Sequence, residues 1–150
     1  MKFKFSLHTL LKAKEIREKE TQKLLVDIIN EIQELKNREE SFMRELAECR
    51  QDFTEMCNNR TASVADLTLY QNYFKNIEEK LSDLRKMIED ASLREIKMRE
   101  QLLGITKEKK SLENLKAKEY DKYINDINYK EAKELDEVSV RIFNQNKTTG

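Results

Sequence analysis

The sequence predicts an all-α protein, a two-helix antiparallel coiled-coil hairpin whose second helix is longer than its first. Three observations carry that expectation. Two apolar seams with coiled-coil spacing flank one short polar stretch, Cys57 to Asp66. Proline is absent and glycine occurs twice, so almost nothing interrupts a helix. Charged residues make up 39% of the chain, well above the roughly 25% of an ordinary domain, which suits solvated helix faces better than a thick core.

The first helix is expected to open near Ser6, with Ser6 as its cap and Phe5 stapled to Leu10; Phe3 is left without a partner. From Leu7, alternating steps of four and three residues land on Leu11, Lys14, Glu18, Thr21, Leu25, Ile28, Ile32, Leu35, Glu39, Phe42, Leu46, Cys49, Phe53 and Met56. Most of these are apolar, which is the a/d pattern of a coiled-coil seam. The faces between them carry charges in favourable helical order, among them Glu15 with Lys19 and Glu34 with Arg38.

The bend follows. Asn58 suits a helix C-terminus, and Ser63 with Asp66 forms a capping box that opens a second helix at Val64. A connection of about five residues turns the second helix back along the first. Its seam runs through Leu67, Tyr70, Phe74, Ile77, Leu81, Leu84, Ile88, Ala91, Glu95, Met98, Leu102, Ile105, Lys109 and Leu112. Two narrow seams of matched length are best buried against one another. The expected bounds are helix one over 6–57, a bend over 58–63, helix two over 64–142 and a flexible tail over 144–150, all in a single coiled-coil domain. At 1.5 Å per residue the helices would measure roughly 75 and 120 Å, which is a rod with an unpaired overhang beyond Leu115. Lys14, Glu18 and Thr21, facing Lys109 near Gly104, mark an expected weak zone in the seam.

Composition narrows the function. Lys plus Arg and Asp plus Glu both total 29, so no net charge draws the chain to nucleic acid or an anionic membrane. No apolar run is long enough to insert into a membrane, and the start does not read as a secretion signal, so a cytoplasmic protein is expected. His8 is the one histidine, and neither Cys49 nor Cys57 has metal-site spacing with it. Two glycines supply no phosphate loop, and a two-helix hairpin has no water-excluding pocket for shifting a pKa. No enzyme activity, cofactor or metal is therefore expected. Off the seam, Tyr73 lies beside Tyr70, Phe74 and Ile77, and an off-seam aromatic next to an aromatic core would suit a partner contact.

Phe3-Lys4-Phe5-Ser6-Leu7-His8-Thr9-Leu10-Leu11, Tyr70-Gln71-Asn72-Tyr73-Phe74 after a short bend, and Glu134-Leu135-Asp136-Glu137 together resemble the FliJ family of flagellar export proteins. The resemblance implies a central-stalk component of the flagellar type III export apparatus. It further implies three partners: a hexameric export ATPase (FliI-like) around the end with both termini, a membrane export gate protein (FlhA-like) at the bend end, and export chaperones. Carried onto this sequence, Tyr70, Gln71, Tyr73, Phe74 and Ile77 would meet the gate, and Phe3, Phe5 and Leu7 would lie at the ring. A protein of this kind would be a monomer or associate weakly, at the cytoplasmic face of the flagellar base. Periodicity alone fits equally a coiled-coil chaperone or escort for unfolded export substrates, or a structural scaffold with no export role.

Overall fold

The computed structural model describes residues 2–150. Two helices and, among the described residues, no strand make up the fold: α1, His8–Asn58, and α2, Val64–Thr148. The chain is a helical hairpin with the second helix the longer, as the paired seams predict.

Two hydrogen-bonded devices build the turn. The Thr61 N–H donates to the Met56 carbonyl at 3.3 Å and the Arg60 N–H to the Cys57 carbonyl at 3.3 Å, the reciprocal pair of a Schellman ending. The left-handed residue this requires is Arg60, with φ of 52°. Three residues on, the Asp66 N–H donates to Ser63 Oγ at 3.1 Å and the Ser63 N–H to the Asp66 carboxylate at 3.2 Å, so the capping box forms as its spacing predicts.

The chain divides into two compact units. The division falls between Glu18 and Lys19, where polar Glu18 and Thr21 interrupt the α1 seam, and between Leu103 and Gly104 of α2. In the unit Lys19–Leu103, Glu31 meets Arg94 at 2.9 Å, Glu39 meets Arg85 at 3.5 Å and Glu78 meets Arg50 at 3.2 Å. Partner numbers fall along α2 as they rise along α1, so the helices pair antiparallel. Ile28, Ile32 and Leu35 pack with Leu84 and Ala91, and Leu46 packs with Ile77 and Leu81. Burying each large side chain contributes about 1.5–3 kcal/mol, against at most about 1 kcal/mol for an exposed ion pair. The seam holds the unit together, and the ion pairs set its register.

The other unit joins the residues up to Glu18 with Gly104–Gly150, again antiparallel, with Lys14 paired to Glu108. Its seam carries Leu11 and Ile105, both buried, beside a polar layer. The expected looseness of that layer is answered by charge: Lys109 Nζ lies 3.0 Å from Glu18 and 3.8 Å from Glu113, and the Thr106 hydroxyl donates to Glu18 at 3.1 Å. The Lys109 hydrogen bond is the main reason the Glu18 carboxyl sits below its ordinary pKa and the Lys109 ammonium above its own.

Three local expectations need correction. Helix α1 opens at His8, with the Leu11 N–H donating to the Leu7 carbonyl at 2.9 Å, so the cap position is Leu7 and not Ser6. With the cap at Leu7 the staple positions become Ser6 and Leu11 in place of Phe5 and Leu10; Phe5 is 7% exposed and lines a cavity with Lys116 of α2, whereas Leu10 is 45% exposed. The tail expected from Asn144 is helix as far as Thr148, because nothing after Gly104 breaks the helix and the Thr148 hydroxyl donates to the carbonyls of Asn144 and Gln145.

Candidate partner-binding sites

In the unit Lys19–Leu103, the residues near the turn form an aromatic cluster. Phe53 of α1 meets Tyr70 at 5.5 Å between centroids and Phe74 at 5.6 Å, edge-on to the latter, and Tyr70 and Phe74 lie 6.1 Å apart. Seam spacing forces this: all three occupy a/d positions, and antiparallel pairing brings Phe53 between the two α2 rings. Ile77, one helical turn on, is 2% exposed and belongs to the core with Leu46 and Leu81.

Tyr73 departs from expectation. It is half-buried, its ring packs against the Leu46–Ile77–Leu81 cluster, and its hydroxyl donates to the Glu45 carboxylate of α1. A tyrosine flanking the seam can lay its ring over the core and keep its hydroxyl at the edge, a disposition that a/d counting omits. The Glu45 hydrogen bond pushes the phenol pKa up to about 12. Gln71 is exposed, and so is Leu69 at 68%, an apolar residue that the seam reading passed over because it faces away from α1. Of the five residues, Tyr70, Tyr73, Phe74 and Ile77 thus contribute to packing, and Gln71 stands clear.

Phe3, Phe5 and Leu7 lie in the other unit. Phe3 packs edge-on to Tyr120 at 5.3 Å and against Tyr123 at 5.5 Å, so the residue left over in the sequence has two aromatic partners on α2. These pairings shorten the expected overhang, since the N-terminal segment covers α2 as far as Tyr123. From Asn128 onward every α2 residue is exposed. Leu7 is 37% exposed. Phe3, Lys4, Phe5, His8 and Lys116 line a cavity of about 480 Å³.

Cys49 is half-buried on the seam, where burial raises its thiol pKa, and Cys57 is exposed; both are free thiols. Among the described residues, no group of three or more His, Cys, Asp or Glu side chains could hold a metal ion. Also among them, no helix is long and apolar enough to cross a membrane.

The described residues thus form a helical hairpin of the coiled-coil class, with one aromatic cluster in each of its two units. The family model described as "Flagellar FliJ protein" matches residues 3–148, and the chain belongs to that family, which implies a role in flagellar export. No curated protein and no solved structure matches the chain.

Proposed function

We propose that the protein is the central stalk of the flagellar export apparatus, coupling a hexameric export ATPase to the membrane export gate and contacting export chaperones. One observation carries the reading: the chain has two aromatic clusters, Phe53–Tyr70–Phe74 and Phe3–Tyr120–Tyr123, each in its own compact unit. Two partners can therefore be engaged by separate sets of side chains. The gate side is Tyr70, Gln71, Tyr73 and Phe74, with Ile77 supporting them from the core; the ATPase side is the segment with Phe3, Phe5 and Leu7.

An asymmetric helix pair inside a symmetric ring cannot meet every subunit alike. It favours different conformations in different subunits, and so promotes ordered turnover by shifting populations. The chain supplies no catalysis in this account; it works at the cytoplasmic face of the flagellar base as a monomer or a weakly associating species. The test is the turnover of the purified ATPase with and without the full chain. Acceleration that is lost on deleting residues 2–7 supports the stalk. Unchanged turnover, with capture of unfolded export substrates instead, favours an escort.

A further inference from the structure

Charge along the sequence is far from even. Residues 2–14 carry four lysines and no acidic residue, and residues 107–118 carry five lysines and two glutamates, in a chain whose charges sum to zero. Antiparallel pairing within one unit brings the two stretches together, as Phe3 on Tyr120 and Lys14 on Glu108 show. Of these nine lysines, Lys14 and Lys109 alone have ion pairs among the described residues. The cavity between Phe3 and Phe5 is edged by Lys4, Lys116 and His8, with no carboxylate in its wall. Beyond Lys118 the sign reverses, and residues 119–137 hold seven acidic side chains against three lysines.

We propose that this cavity and its lysines are a docking site for an acidic segment of a protein partner, in which an apolar side chain is flanked by carboxylates. The apolar group enters between Phe3 and Phe5, and the carboxylates meet Lys4 and Lys116. The inference rests on the reading that this segment meets a partner protein, but moves the contact from the two phenylalanines to the cations around them. Phe5 is buried and Phe3 is engaged by two tyrosines, so neither ring is free to anchor a partner alone. A bounded acidic segment fits better than nucleic acid or a membrane. The acidic stretch begins one residue after Lys118, inside the Debye length of about 8 Å at physiological salt, and would repel an extended polyanion.

The experiment titrates the isotope-labelled full chain with a short blocked peptide alternating aspartate with leucine and phenylalanine, following amide shifts. The controls are the same peptide with lysine for aspartate, a single-stranded oligonucleotide and phosphatidylglycerol vesicles. The acidic peptide should move amides of Phe3 to His8 and Lys116 to Tyr123, and Lys4→Gln with Lys116→Gln should weaken it roughly tenfold with helicity unchanged. An equal response to the lysine peptide, tighter binding of oligonucleotide or vesicles at the same residues, or an unaffected double variant would each overturn the proposal. Binding to the purified ATPase ring separates the two readings. A double variant that binds the ring as well as wild type removes this docking site and leaves the stalk standing. A wild-type chain that ignores the ring removes the stalk, while the peptide titration still decides the docking site.

Discussion

The Tyr73 hydroxyl of α2 donates a hydrogen bond to the Glu45 carboxylate of α1, tying a residue of the candidate gate surface to the opposite helix. Because the bond needs the protonated phenol, the Tyr73 pKa stands at about 12, above its ordinary 10. The contribution of the contact to stability is complete below pH 10 and is lost as pH rises toward about 12. Glu45→Gln should shift one tyrosine back toward the ordinary value in an ultraviolet phenolate titration. A titration identical to wild type would mean that the bond does not form in solution.

Arg60 holds a left-handed backbone conformation that costs a side-chain-bearing residue about 1–2 kcal/mol and costs glycine little. Arg60→Gly should therefore stabilise the hairpin, by about 1 kcal/mol after the added freedom of the unfolded chain is deducted. Chemical denaturation checks it, and a destabilised variant would show that the Arg60 side chain matters more than its backbone.

Gly104 is helical and exposed, and a Cβ built on it meets no atom within 4 Å. Gly104→Ala should gain about 1 kcal/mol of helix stability with no steric cost. Amide exchange in residues 100–110 should slow in the variant. Unchanged exchange would place the weak point of this stretch elsewhere.

The polar layer around Glu18 has a defined acid response. Its carboxyl pKa is lowered below the ordinary 4.5 by the Lys109 hydrogen bond, so the stabilisation is fully present above pH 4.5 and is lost as pH falls through the lower folded-state value. Glu18→Gln should lower the melting temperature at pH 7 and flatten its fall in acid. Parallel acid profiles for the two proteins would assign the acid response to other carboxylates.

Much of the fold was legible because helical periodicity is local information. From Leu11 to Met56, every position reached by alternating steps is buried or half-buried, including polar Lys14, Glu18 and Thr21, and the residues between are exposed. The capping box at Ser63 was legible for the same reason: donor and acceptor lie three residues apart. Phe3 was not, because Phe-Lys-Phe has no helical period and its tyrosine partners lie far along the chain. Tyr73 was misplaced because stepping along a and d positions ignores a long side chain that lies over the seam from its flank. Polar composition at 144–148 was read as fraying, yet composition without a glycine or proline does not stop a helix.

The central claim, that one chain joins the ATPase to the gate, is tested most directly by bridging. The cytoplasmic part of the gate protein is immobilised, the ATPase is passed over it, and retained ATPase is measured with and without the full chain. The account predicts retention only when the chain is present, lost both with Tyr73→Ala and on deletion of residues 2–7. If the ATPase is never retained, or if it strips the chain from the gate, the two partners do not bind together and the stalk reading is wrong.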